Sequence, residues 1–89
     1  MRILLADDEK DIRSSLAEFI EGLGHQVSLA TNGREALEML EKESVHLVLS
    51  DIRMPDVDGL ELLQRIKLSV ELRGVAVILF TGYGTIPRP

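Results

Sequence analysis

Short apolar segments alternate with amphipathic ones along this 89-residue chain, and that alternation restricts its fold more than any other feature. Four short segments have the composition of strands, at residues 2–6, 25–30, 45–50 and 75–80. Between them, apolar residues recur at spacings of three and four, as Ile12, Leu16 and Phe19 do, which is the pattern of an amphipathic helix. The order is therefore β-α-β-α-β-α-β, and the connections are long enough for the strands to pair in parallel.

The strand patterns also indicate how the sheet is arranged. Residues 45–50 are nearly all apolar, which suits a central strand buried on both faces, and residues 75–80 are a second, fully apolar strand. Polar and apolar residues alternate at 25–30, as near a sheet edge. Right-handed crossovers then predict an α/β fold: a flavodoxin-like, doubly wound parallel sheet in the order 2-1-3-4. We expect a single domain over residues 1–89, in which 81–89 form an irregular tail interrupted by Pro87 and Pro89.

Composition excludes several classes of partner and compartment. Ten Lys and Arg stand against 15 Asp and Glu, so the net charge of −5 argues against a direct nucleic-acid ligand. The absence of cysteine excludes disulfides and cysteine zinc sites. The longest apolar run, at residues 75–80, is far shorter than the roughly 20 residues of a membrane span. We expect an untargeted cytoplasmic protein without membrane contact.

Acidic and hydroxyl side chains follow three of the four predicted strands. Asp7 and Asp8 end the first strand, Asp51 ends the third and Thr81 ends the fourth. An open α/β sheet binds its ligands outside the carboxyl ends of its strands, and the first and third strands are neighbours in the predicted order. Three carboxylates brought together there would repel one another and raise each other's pKa, unless a cation such as Mg²⁺ or Mn²⁺ lies between them.

Each of these residues also has a simpler interpretation. Asp8 could equally be the N-cap of the first helix, Asp51 a turn residue, and Thr81 a strand-end hydroxyl bonded to backbone. Asp56 and Asp58 are interpreted as a loop turn and the N-cap of the third helix. Two histidines lie within strand patterns and are interpreted as structural or surface residues: His25 and His46.

Three motifs together resemble the receiver domain (CheY-like) of two-component response regulators. They are Asp7-Asp8, the segment DIRMPDVDG at residues 51–59, and TGYG at 81–84. The resemblance extends from Met1 to about Ile86, and the residues around Thr81 are most similar to receivers of enhancer-binding transcriptional regulators.

The resemblance implies a phosphoacceptor signalling domain, not an enzyme. Asp51 would accept a phosphoryl group from a histidine kinase or a phosphotransfer protein, and Thr81 would contact that group. Mg²⁺ would be bound by Asp8 directly, by Asp7 largely through water, by Asp51, and by the backbone carbonyl of Arg53.

The chain also departs from the receiver pattern. Receivers have a fifth strand that carries a lysine, whereas this sequence stops after the predicted fourth strand and its lysines are Lys10, Lys42 and Lys67. We therefore expect a receiver truncated after the fourth strand, in which phosphorylation is impaired. The apolar fourth strand would become an exposed edge, which predicts a homodimer or higher oligomer.

Two other functions are compatible with the sequence. One is an interaction or oligomerisation module that keeps the receiver scaffold without being phosphorylated. The other is a Mg²⁺-dependent phosphohydrolase with an aspartate nucleophile. It ranks last, because such enzymes have Asp-x-Asp after the first strand whereas this chain has Asp7-Asp8-Glu9.

Overall fold

A computed structural model describes residues 1–81 of the chain. They form seven elements in the predicted order: β1 (Arg2–Ala6), α1 (Lys10–Gly22), β2 (Gln26–Ala30), α2 (Gly33–Lys42), β3 (Leu47–Asp51), α3 (Gly59–Leu68) and β4 (Ala76–Phe80). Apart from Thr81, the tail predicted at 81–89 lies outside the described residues. Within residues 1–81, no helix has the length and apolar character needed to cross a membrane.

The four strands form one parallel sheet in the order β2-β1-β3-β4, as predicted. Ala6 at the end of β1 lies opposite Ala30 of β2 and Ser50 of β3, and Asp51 lies opposite Phe80 of β4. All four strands therefore end at the same edge of the sheet. Residues that follow these strands are brought together although they are distant in sequence.

Helices cover both faces of the sheet. On one face, α2 and α3 enclose a cluster that includes Leu4 of β1 and Val48 of β3, both fully buried. Side chains alternate between the faces of a strand, so the buried Ile3 and Leu5 point to the opposite face. There α1 contacts β1 and β2 and buries Ala17 and Ile20. The two-sided cover fits the doubly wound arrangement expected from the sequence.

Two predicted boundaries were wrong by two residues. The spacing of Leu63, Ile66 and Val70 predicts a third helix that includes Val70, but the helix ends at Leu68 and Val70 is 72% exposed. The helix stops because Ser69 adopts an extended conformation, with a φ of −90° and a ψ of 122°. Its N–H bonds to the Ile66 carbonyl oxygen, three residues back, and turns follow up to Gly74. The third strand begins at Leu47, not at residue 45, and its last residue is Asp51.

Among the described residues, β4 has a neighbouring strand on one side only, which is β3. Its burial is correspondingly low, since Ala76 is exposed and Ile78 is 53% exposed. The expectation that this apolar strand lies at an edge holds for residues 1–81.

Candidate functional site

The sheet brings the three aspartates together as expected. Asp7 and Asp8 follow β1, while Asp51 ends the neighbouring β3. One carboxylate oxygen from each residue lies within 4.8 Å of those of the other two. Asp7 continues the path of β1, because its N–H donates to the Ala30 carbonyl oxygen at 3.0 Å, so its position follows from the strand itself.

The three carboxylates differ strongly in burial. Asp7 is fully buried, Asp51 is 6% exposed, and Asp8 is exposed to solvent. Asp7 Oδ1 accepts a hydrogen bond of 2.8 Å from the Glu9 N–H, but the buried Oδ2 has no hydrogen-bond partner among residues 1–81. Burial raises the pKa of Asp7, against the lowering effect of the Glu9 N–H, and the charges of Asp51, Asp8 and Glu9 raise the pKa further.

This donor set fits a hard divalent cation. The unpartnered Asp7 Oδ2 is a buried acceptor whose desolvation is uncompensated, and a cation would compensate it. Mg²⁺ prefers oxygen ligands and keeps several waters, and Mn²⁺ accepts the same ligands. Space for those waters adjoins Asp8, in an open cavity of about 510 Å³ that is also lined by Ile52, Arg53, Met54 and Asp58.

Three hydrogen bonds hold the segments that carry Asp7 and Asp51. Arg13 of α1 donates from Nη1 to the Asp7 carbonyl oxygen at 2.7 Å. The Arg53 N–H donates to Asp51 Oδ1 at 3.2 Å, and the buried Ser50 donates from Oγ to the Asp51 carbonyl oxygen at 2.9 Å. Sequence reasoning did not find Arg13 or Ser50. For Arg13 a signal existed, since it lies in the first turn of the helix that follows the acidic pair.

The simpler interpretation of Asp8 as a helix cap is wrong. Glu9 occupies the N-cap position of α1 and makes no side-chain cap hydrogen bond, which leaves Asp8 facing the cluster. Asp58 does cap α3, accepting from the Glu61 N–H at 2.8 Å, and Asp56 lies in the loop at a φ of 67°. Both residues therefore have the local roles expected from the sequence.

Thr81 is the last described residue and is exposed at the end of β4. With Phe80, it lines an open cavity of about 430 Å³ whose other wall is α1, at Asp11, Ile12, Ser15 and Leu16. Its contact with a phosphoryl group stays a prediction. Three further residues used for the resemblance lie outside the described residues: Gly82, Tyr83 and Gly84.

The two histidines lie away from the carboxylates, at the opposite edge of the sheet. His46 Nδ1 accepts a hydrogen bond of 2.9 Å from the Arg2 N–H, and His25 Nδ1 lies 3.0 Å from the Met1 amino group. Both contacts bind the start of β1, which agrees with a structural role.

Fold and site together define a class of protein: a doubly wound α/β domain with a carboxylate cluster suited to a divalent cation at the carboxyl edge of its parallel sheet. The family model of the response regulator receiver domain matches residues 3–88. The chain therefore belongs to the response regulator receiver family, whose members are phosphoacceptor modules of two-component signalling and not catalytic enzymes.

Individual relatives agree with this assignment. The chain is 40% identical over 85 residues to sporulation initiation phosphotransferase F of Bacillus subtilis, which covers 96% of this chain and 67% of the relative. Transcriptional regulatory proteins are also among the relatives, in keeping with the resemblance of the residues around Thr81 to receivers of such regulators.

Solved structures show the same fold. A receiver domain of a signal transduction histidine kinase from Syntrophus aciditrophicus superposes with a TM-score of 0.87 at 35% identity, covering 90% of this chain and 61% of that one. The response regulator TrrA of Thermotoga maritima, in complex with Mg²⁺ and BeF, gives 0.82 at 38% identity over 93% of this chain and 70% of that one. The chain thus spans 67% of the phosphotransferase and 61% and 70% of the two solved chains, but 31% or less of the three transcriptional regulatory proteins.

Proposed function

We propose that this domain accepts a phosphoryl group on Asp51 from the histidine of a kinase or phosphotransfer protein. The observation that carries the proposal is the position of Asp51, whose nearly buried carboxylate lies within 4.8 Å of those of Asp7 and Asp8. Relatives support it, since one is named a phosphotransferase and the TrrA structure contains Mg²⁺ with BeF. Such donors are reached in the cytoplasm, which is the location we propose.

We assign the cation to the acidic cluster. Asp8, the exposed carboxylate, would bind Mg²⁺ directly, and the buried Asp7 would bind it largely through water. Asp51 and the Arg53 backbone carbonyl would complete the protein ligands, and Mn²⁺ could replace Mg²⁺. When bound, the cation would supply positive charge to the phosphoryl oxygens.

The chain's own residues would position the transfer. A carboxylate oxygen of Asp51 would attack the phosphorus as the bond from phosphorus to the donor's histidine nitrogen breaks, so that an acyl phosphate forms and the imidazole leaves. The Arg53 N–H already donates to Asp51 Oδ1 at 3.2 Å, which leaves Asp51 Oδ2 as the attacking atom. The Thr81 hydroxyl would donate to a phosphoryl oxygen.

We further propose that phosphorylation of this 89-residue chain is impaired. A lysine at the end of a fifth strand would supply a second positive charge, and the sequence contains no lysine after Lys67. The lysine nearest the cluster in sequence is Lys10, the first residue of α1, whose side chain is exposed. Loss of one such electrostatic contact typically reduces a rate by about 10²- to 10³-fold.

Intact-mass measurement tests the phosphoacceptor proposal. The protein is incubated with Mg²⁺ and phosphoramidate, beside Asp51→Asn and the control Asp56→Asn, which changes an exposed loop carboxylate outside the cluster. One hydroxylamine-labile phosphate is expected on the wild type and on Asp56→Asn, but not on Asp51→Asn. A folded wild-type protein that takes no phosphate would contradict the proposal.

One observation favours a second function, that of an interaction module. The described sheet ends at β4, where Ile78 is 53% exposed and the strand's outer backbone groups have no neighbouring strand within residues 1–81. We propose that two copies associate through this edge. With a net charge of −5, neither nucleic acid nor a membrane surface is a proposed partner. A monomeric mass in sedimentation at tens of micromolar would argue against association.

A further inference from the structure

The loop between β3 and α3, residues 52–58, carries Arg53 and is held against the start of α2 through a glycine. The Gly33 N–H, at the first position of α2, donates to the Val57 carbonyl oxygen at 3.0 Å. This N–H is one of the amide groups that a helix leaves without an internal partner, so the loop satisfies it. The contact therefore joins α2 to the loop directly, backbone to backbone.

No side chain fits at this contact. A Cβ atom on Gly33 would lie 2.7 Å from Val57 Cβ and 2.8 Å from the Val57 carbonyl carbon, and closer still to the Val57 carbonyl oxygen. Non-bonded carbon atoms prefer a separation of about 3.5–4.0 Å, so any other residue would push Val57 away. Glycine is thus required here for close approach.

The other end of the loop is equally confined. The Gly59 N–H donates to the Ile52 carbonyl oxygen at 2.8 Å, which closes the two ends of the loop on each other. A Cβ atom on Gly59 would lie 2.9 Å from Ile52 Cα and would overlap the Asp51 carbonyl oxygen. The Ile52 N–H is bound in turn to the Phe80 carbonyl oxygen of β4 at 2.9 Å.

Between these contacts the loop has little freedom. Val57 and Met54 are each only 9% exposed, and Arg53 lies between Met54 and the closed end at Ile52. A displacement of Val57 would therefore be passed along the loop towards Arg53 and Asp51. Mg²⁺ requires nearly ideal octahedral geometry with short bonds, so a shift of a few tenths of an ångström in a ligand would weaken its binding.

We propose that Gly33 is a positioning residue, which sets the geometry of the candidate cation site through Val57 and the loop at residues 52–58. This inference rests on the proposed function, because it assumes that Asp51 and the Arg53 carbonyl hold the cation. Gly33 itself would not be a ligand of the cation and would act through Val57. Substitution of a residue that orients metal ligands typically weakens metal affinity by about 10- to 100-fold. We expect Gly33→Ala to bind Mg²⁺ about tenfold more weakly than the wild type.

The experiment is a titration with Mg²⁺ followed in amide proton–nitrogen spectra, which report the dissociation constant of the folded protein alone. Asn32→Ala is the matched control, because it removes the side-chain cap that accepts from the Glu35 N–H at 2.8 Å and adds no atom against Val57. Gly22→Ala is the second control, since a Cβ atom there would meet no atom of the described residues within 4 Å. We expect weaker Mg²⁺ binding in Gly33→Ala and unchanged binding in both controls.

If Gly33→Ala does not fold, Val57→Ala tests the inference instead, since it loosens the same loop from the other side of the contact. Its control is Ile66→Val, a truncation in the same core at a residue 2% exposed. The inference is overturned if Val57→Ala or a folded Gly33→Ala binds Mg²⁺ as tightly as the wild type, or if Asn32→Ala weakens binding as much as Gly33→Ala. A wild-type protein that binds no Mg²⁺ would instead refute the proposed cation site, and this inference with it.

Discussion

Replacement of Asp7 by asparagine is expected to stabilise the metal-free protein. Asp7 is fully buried, its Oδ2 lacks a hydrogen-bond partner within the described part of the chain, and its carboxylate faces that of Asp51. Asparagine has nearly the same shape, its oxygen can still accept from the Glu9 N–H, and its amide group can donate towards Asp51. The substitution therefore removes a repulsion and keeps the packing.

The spacing of the carboxylates sets the size of the effect. At the 4.8 Å limit between their oxygens, two unit charges repel by about 3.5 kcal/mol at an effective dielectric constant of about 20, and by about 0.9 kcal/mol in water. Because Asp51 is nearly buried while Asp8 is exposed, the true value lies between these limits. We expect Asp7→Asn to raise the free energy of unfolding by about 1–3 kcal/mol.

The gain should depend on pH with a definite sign. The pKa of Asp7 in the folded state is raised above its ordinary value of 3.8, mainly by burial. The folded protein therefore binds the proton more tightly than the unfolded chain does, and the wild type loses stability as the pH rises from 3.8 through the folded pKa. The advantage of Asp7→Asn is thus full above the folded pKa, fades as the pH falls through that pKa, and vanishes below 3.8.

Urea unfolding followed by circular dichroism in EDTA provides the assay. A gain of about 2 kcal/mol would raise the midpoint by about 1–2 M. Mg²⁺ at ten times its dissociation constant would stabilise the wild type by about 1.4 kcal/mol. It would thereby narrow the difference in unfolding free energy between the wild type and Asp7→Asn. The control is Asp11→Asn, an exposed carboxylate outside the cluster, which should change little. If Asp7→Asn is no more stable than the wild type at neutral pH in EDTA, the electrostatic reasoning is refuted.

Three further predictions concern elements around the site. Gly59→Ala should lower the free energy of unfolding in urea by about 1–3 kcal/mol, because its Cβ would overlap the Asp51 carbonyl oxygen. Gly74→Ala should not be destabilised by a clash, since no atom of residues 1–81 lies within 4 Å of a Cβ there. Asp58→Ala should lower the free energy of unfolding by about 1 kcal/mol, because it removes the side-chain cap of α3, and Asp58→Asn should keep most of that stability. Equal losses of stability in the two variants would exclude capping as the cause. Ile78→Lys, on the half-exposed edge strand, should shift the mass measured by sedimentation at tens of micromolar towards that of a monomer, with the fold retained. An unchanged mass would mean that β4 is not the interface.

The order of the elements was predictable because hydrophobic periodicity is a local property. The apolar run at residues 3–6 predicts β1. Asn32 followed by Glu35 is a capping-box pattern that predicts the start of α2, as Asp58 predicts the start of α3, and both side chains do cap their helix. The end of α3 was not predictable, because the apolar Val70 continues the helical spacing. Only the turn at Ser69 shows that the chain leaves the helix before it.

Asp8 and Gly33 illustrate what sequence reasoning could not decide about the site. An aspartate directly after a strand has the same local signature whether it caps the next helix or faces a cation. Asn32-Gly33 likewise reads as a helix start, and nothing in it indicates that Val57, 24 residues later, approaches too closely for a side chain. Both answers depend on contacts between distant segments.

By itself, the sequence determined that this chain forms a parallel α/β sheet with Asp7, Asp8, Asp51 and Thr81 at the ends of its strands, because strand composition and alternation are encoded residue by residue. Only the tertiary structure decided that Asp7 is buried with an unpartnered oxygen while the adjacent Asp8 is exposed. The physical reason is that burial and electrostatic repulsion depend on which segments pack together. For Asp7 those neighbours come from β2, α1 and β3, which the fold alone brings into contact.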